Sequence, residues 1–152
     1  KVPLNYDGVP FKFVDPSANG GRAVLFSSEG NPSCEVRLPR AMKVRKVHFL
    51  GFSVWFKGPA FVSFGENGSR IPMERGRHFG NYRNFGGALT HGKLAYSGDW
   101  DVSPNERMPK TARQKMCVFH WSIENPNPVE PIEVIALSEM KKLGIFAITI
   151  EE

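Results

Sequence analysis

Short runs in which apolar and polar residues alternate, each closed by Gly, Pro, Asn or Ser, recur along almost the whole chain. A two-residue period belongs to strands that bury one face, and the 3.6-residue period of an amphipathic helix is nearly absent. The runs are Phe11–Val14, Ala23–Phe26, Cys34–Leu38, Lys46–Ser53, Ala60–Phe64, Arg70–Met73, Lys115–Ser122, Glu133–Leu137 and Gly144–Ile150. So many short strands predict an all-β sandwich or barrel. With 152 residues, 41% of them hydrophobic and 12 of them Phe, the chain has the means to bury one ordered core, as a single domain over 1–152.

The stretch 120-HWSIENPNPVEPIEVIAL-137 places two asparagines and three prolines between two alternating runs. Proline fixes φ and removes a donor, so Asn125-Pro126-Asn127-Pro128 cannot pair as a further strand and reads as a rigid corner. Alternation puts Phe119 and Trp121 in the core and His120 on the opposite face.

From Glu74 to Lys110 the alternation weakens, while glycines, aromatics and charges accumulate, and this reads as one long loop. A loop of that length in a small domain is usually functional or disordered, and Phe79, Tyr82, Phe85, Tyr96 and Trp100 argue for order. Cys34 and Cys117 stand alone in alternating surroundings, which suits small core residues better than a disulfide framework or a reactive thiol. The net charge is +5 and the pI about 9.4. The positives gather in 37-RLPRAMKVRK-46, 70-RIPMERGRHFGNYR-83 and 107-RMPKTARQK-115, the pattern of an anion-binding surface or of a solvated basic face.

No run approaches the roughly 18 apolar residues that cross a bilayer as a helix. The start, KVPLNYDGVPFKF, has no secretory apolar core and reads as the beginning of a segment excised from a larger protein. Paired-carboxylate spacing, a nucleophile elbow, a P-loop and a dinucleotide fingerprint are all missing from the sequence. The four histidines, His48, His78, His91 and His120, have no zinc-ligand spacing.

An ordered set of motifs resembles the galactose-binding-like jelly-roll carbohydrate-binding modules attached to bacterial glycoside hydrolases and other polysaccharide-degrading enzymes. The segment 10-PFKFVDPSANGGRAVL-25 is similar to their opening strand and turn, and 47-VHFLGFSVWF-56 to a central strand. A hairpin follows in 65-GENGSRIPM-73, then 76-GRHFGNY-82, which carries His78 where such segments commonly have an acid. The proline-rich stretch above resembles "W-x-N-P-x-P-x-x-x-I", and 143-LGIFAITI-150 the closing strand. The resemblance implies a β-sandwich jelly roll, a noncatalytic role in holding a linked catalytic domain on polysaccharide, and an extracellular, periplasmic or cell-surface location. It also implies a structural calcium near the first turn and last strand, for which Asp15, Asn19 and Glu151 are the candidate oxygen ligands.

Sugar recognition combines an aromatic platform for the C–H face with polar groups for the hydroxyl rim. Candidates are Trp100, Tyr82, Trp55 and Tyr96 as platforms, with Arg75, Arg77, His78, Asn81, Arg83, Asp99 and Arg107 beside them in sequence. Trp100, in 96-YSGDWD-101, is the foremost. The arginine forks suit sulfate or carboxylate bidentately, which favours a sulfated or uronic-acid glycan. Competing readings are a spacer without ligand, a jelly-roll lyase using Arg77, His78 and Tyr82, and a basic barrel stacking nucleic-acid bases.

Overall fold

The computed structural model describes residues 4–13, 33–54, 58–81, 88–99 and 115–152. Among these described residues the chain is all-β, with ten strands: β1 (Leu4–Tyr6), β2 (Val9–Phe11), β3 (Cys34–Lys43), β4 (Lys46–Ser53), β5 (Ala60–Phe64), β6 (Ile71–Met73), β7 (Gly92–Asp99), β8 (Lys115–Glu124), β9 (Pro131–Ser138) and β10 (Leu143–Glu151). They pair antiparallel into two four-stranded sheets, β10-β4-β8-β7 and β3-β9-β5-β6, and a separate hairpin, β1-β2.

Alternation explains the sandwich. From the first sheet Val47, Phe49, Phe119, Trp121 and Ile145 point inward, and from the second Val62, Phe64, Met73, Ile135 and Leu137 meet them in one buried cluster. Fully burying a side chain of this kind stabilises by about 1.5–3 kcal/mol relative to exposure. Trp121 sits at the centre. Its ring lies 5.3 Å from that of Phe49 and 5.0 Å from that of Phe79, and its Nε1–H donates across the core to Met73 Sδ at 3.3 Å. Cys117 is buried in the core, Cys34 is half-buried at its border, and both are free thiols. Gly51 of β4 allows the closest approach: a Cβ there would run into the Gly144 carbonyl of β10 and the Trp121 ring.

The proline-rich corner joins β8 to β9 and is pinned by Asn125, only 7% exposed. The Asn125 backbone N–H donates to the Arg45 carbonyl, its Nδ2 donates to the Val44 carbonyl at 2.8 Å, and its Oδ1 accepts from the Asn127 N–H at 3.0 Å. The last of these is an Asx turn, which lets the chain reverse without a strand partner.

Two expectations are corrected. The stretch Glu74–Lys110 is not one loop, because β7 lies within it. A bulge between Leu94 and Tyr96 breaks the alternation of β7, and its glycines Gly92 and Gly98 weaken the strand signal further. The run Phe11–Val14 is not a strand as drawn: β2 ends at Phe11. Its partner β1 was unforeseen, although Asp7-Gly8 is a strong two-residue hairpin signal and both residues have positive φ, 53° and 78°. The expected strand Ala23–Phe26 lies outside the described residues.

The hairpin packs on the outer face of the first sheet, opposite the main core. There Phe11, Leu50 and Ala147 are buried together, with Tyr6, Val9, Ala95, Val118 and Phe146 around them. Three side-chain links hold it: Tyr6 Oη–H donates to the Leu94 carbonyl at 3.0 Å, Thr149 Oγ1–H donates to the Pro10 carbonyl, and Lys93 meets Asp7 at 2.7 Å.

Candidate functional site

Two turns meet at one end of the sandwich. The tip of the β5–β6 hairpin, Gly65 to Ser69, turns through Gly65 at φ 82°, with the Gly68 N–H bonded to the Gly65 carbonyl. The Gly65 N–H donates to the Val134 carbonyl at 2.8 Å, which fixes this tip against β9. Across from it lies the β8–β9 corner, stiffened by Pro126, Pro128 and the 2.7 Å bond from Asn127 Nδ2 to Glu130. Between them is an open groove of about 610 Å³, within the size range of small-molecule sites.

The side chains along this groove are amides and carboxylates: Glu66, Asn67, Asn127, Glu130 and Glu133 are exposed on its walls, over a floor that includes Ile132 and Phe64. Among the described residues no Lys or Arg lines it. Carboxylates accept hydrogen bonds and amides both donate and accept. Such a set suits hydroxyl groups and repels phosphate, sulfate or carboxylate.

Trp100, Tyr82, Trp55, Arg83 and Arg107 lie outside the described residues, as do Asp15 and Asn19. Asp99 ends β7, and its side chain is not described. Arg75 and Arg77 are exposed on the turn after β6, where Arg77 leans on Glu74 at 3.5 Å and on His91 at 3.2 Å. His78 is turned inward, 5% exposed, and its Nδ1 accepts the Glu74 N–H at 2.9 Å. Burial, with Arg77 beside it, pushes its pKa down to about 4. Asn81 is half-buried and bridges to Ser53 of β4. Tyr96 stands 61% exposed on β7.

The basic run 37–46 is largely neutralised by its own chain. Arg37 meets Glu35 at 2.8 Å, Arg40 meets Glu152 at 3.9 Å, Lys46 meets Glu124 at 3.4 Å, and Arg45 pairs with Glu151. Most of these are exposed pairs of small energetic value, and Lys43 at the end of β3 is exposed.

A second cluster was invisible in the sequence. On the outer face of the first sheet, His48 Nδ1 and His120 Nε2 are 3.2 Å apart, and His48 Nε2 is 3.0 Å from Glu151 Oε2. The carboxylate dictates the tautomers: Glu151 accepts from His48 Nε2–H, so neutral His48 must accept at Nδ1 from His120 Nε2–H. Both rings are 8% exposed. Burial, then the neighbouring His120, Lys46 and Arg45 charges, pushes His48 down to about 4. Burial also lowers His120, with Lys93 adding to it and Asp7 opposing. Glu151, the one expected calcium ligand among the described residues, contacts Arg45 and His48. Among the described residues no group of three His, Cys, Asp or Glu side chains is placed to hold a metal.

No family model matches the chain, and neither a curated protein nor a solved structure matches it.

Proposed function

We propose that this β-sandwich is a noncatalytic carbohydrate-binding module of the jelly-roll, galactose-binding-like type, which holds a linked polysaccharide-degrading enzyme on its substrate. The observation that carries the reading is the groove between the Gly65–Ser69 tip and the Asn125–Glu130 corner, rigid on both sides and walled by amides and carboxylates. Sugar hydroxyls find donors and acceptors there, and Phe64 and Ile132 give a small apolar floor for C–H groups. The groove is open and wet, so affinity for one site is weak, and the benefit is a raised local substrate concentration for the attached enzyme.

The groove's three glutamates favour an uncharged polysaccharide. The acidic glycan expected from the charge balance finds its support elsewhere, in exposed Arg75 and Arg77. The lyase alternative asks His78 to act as a base, yet that imidazole is buried with Nδ1 already accepting a backbone N–H. A ligand-free spacer role remains the simplest competitor.

Affinity electrophoresis across neutral, carboxylated and sulfated polysaccharides separates these. Retardation by a neutral glycan that Glu130→Ala or Asn67→Ala abolishes supports the groove. Salt-sensitive retardation by an acidic glycan, lost in Arg75→Ala/Arg77→Ala, moves the site to the arginines. Folded protein that no glycan retards leaves the spacer.

A further inference from the structure

We propose that the Leu4–Phe11 hairpin is a proton-sensitive strap, held closed over the neutral His120–His48–Glu151 chain and released when that chain takes up a proton. The hairpin is a two-stranded sheet of its own, joined to the sandwich by side chains rather than by a strand ladder. An element attached in this way can open locally while both four-stranded sheets stay intact.

The geometry of the histidine pair makes it a proton sensor and not a metal site. The two rings are nearly coplanar, 12° apart, with centroids 5.4 Å apart. That separation is the 3.2 Å nitrogen–nitrogen distance plus the two ring radii, so the nitrogens face each other along one line. A metal at the midpoint would sit closer to both nitrogens than the 2.0–2.1 Å that zinc requires, whereas a single N–H proton fits.

The two imidazoles have one remaining basic nitrogen. His48 Nε2–H is spent on Glu151, and His120 Nε2–H is spent on His48, so an added proton enters at His120 Nδ1. His120 is covered by the hairpin: Tyr6 and Phe11 stand edge-on to it at 5.4 and 5.7 Å. An imidazolium in that place loses most of its water and gains from the strap two aromatic rings and an Asp7 carboxylate already paired with Lys93.

Charges from each surrounding element bear on the pair. On the strap, Asp7 favours protonation but is already paired with Lys93 of β7, which opposes it. From β4, Arg45 and Lys46 oppose it. From β10, Glu151 favours it but is shared with Arg45, and Glu124 at the end of β8 is engaged by Lys46. These cations and acids pair with one another, so burial under the strap is the leading reason that the closed state resists taking up a proton at His120. Lifting the strap gives His120 water.

The sign follows. Burial under the strap lowers His120 in the closed state, so it stabilises closure above about pH 6.5, and that contribution is lost as pH falls below it. Opening returns His120 to water, so the opening constant rises as pH falls from 7 to 5. Opening would uncover Leu50, Ala147 and Val118, an apolar patch absent from the surface at neutral pH.

Amide hydrogen exchange on the whole chain, corrected for the intrinsic pH dependence of exchange, tests this. Protection of residues 4–11 should be lost progressively from pH 7 to pH 5 while β4 and β8 keep theirs, and His120→Gln should flatten the response. Unchanged strap protection, or strap and sandwich losing protection together, overturns the proposal. If His120→Gln does not fold, an NMR titration of the wild-type imidazoles decides. His120 shifting in step with Tyr6 and Phe11 supports the strap, and ordinary titration near pH 6.5 with those resonances unmoved refutes it.

Discussion

Replacing Asn125 by alanine should cost about 2–4 kcal/mol of folding free energy. The amide is 7% exposed and makes two side-chain hydrogen bonds, to the Val44 carbonyl at 2.8 Å and from the Asn127 N–H at 3.0 Å. Val44 is fully buried, so its carbonyl would be left without a partner, at about 1–3 kcal/mol. Asn127 is exposed and water replaces its lost partner, so that bond adds only its net worth of about 0.5–1.5 kcal/mol. For a domain of this size the sum lowers Tm by about 5–15 °C. Urea unfolding followed by tryptophan fluorescence, with calorimetry beside it, measures the loss. Asn125→Asp is the decisive companion: it keeps the acceptor toward Asn127 but sets a carboxylate oxygen against the Val44 carbonyl, and should be no more stable than the alanine variant at pH 7. An alanine variant within about 0.5 kcal/mol of the parent, or an aspartate variant as stable as the parent, would refute the pinned-corner reasoning.

Phe119→Ala, which empties a site of zero exposure beside Trp121, should cost about 3–5 kcal/mol in the same urea assay. Gly51→Ala should destabilise by about 3 kcal/mol or more, because its Cβ meets the backbone of β10, which cannot yield as a side-chain tip would. His78 is held neutral by burial, with a pKa of about 4, below its unfolded value. Its contribution is complete above about pH 6.5 and disappears as pH falls toward 4, so His78→Gln should reduce the drop in stability between pH 7.5 and pH 5, a drop worth up to about 2 kcal/mol. Gly8→Val, at φ 78° in the hairpin turn, should raise exchange in residues 4–11 and leave the unfolding midpoint of the sandwich nearly unchanged.

Where a strand has one face in the core, its bounds were legible. Lys46–Ser53 and Ala60–Phe64 form over the residues that alternation assigned them, and β8 and β9 extend by only a few positions past their expected ends. The inward placement of Phe119 and Trp121, with His120 behind them, followed from the same period. β7 escaped because it is an edge strand with a bulge, and β1 because three residues hold no period to read. The groove was half legible: Glu66-Asn67-Gly68 and Asn125-Pro126-Asn127-Pro128 each announced a turn, but their meeting depends on β5 and β9 being neighbours. The histidine chain was not legible at all. It joins residues 48, 120 and 151, and only the register that sets His48 opposite Thr149 and Ser122 brings them together.

The pairing order of the two sheets has a kinetic consequence. Within them only β5–β6 and β7–β8 join strands that follow one another in the chain, while β10–β4, β4–β8, β3–β9 and β9–β5 are all distant partners. β4 waits for a strand that ends at Glu151 before its second edge is covered. Large loops must therefore close before most ladder bonds can form, and chains of such high contact order fold in milliseconds to seconds rather than microseconds. During synthesis, β4 emerges long before β10, so its backbone edge stays open until the last strand arrives. Until then the nascent domain presents an unpaired edge to other chains, and its yield in a cell depends on how quickly that final strand docks.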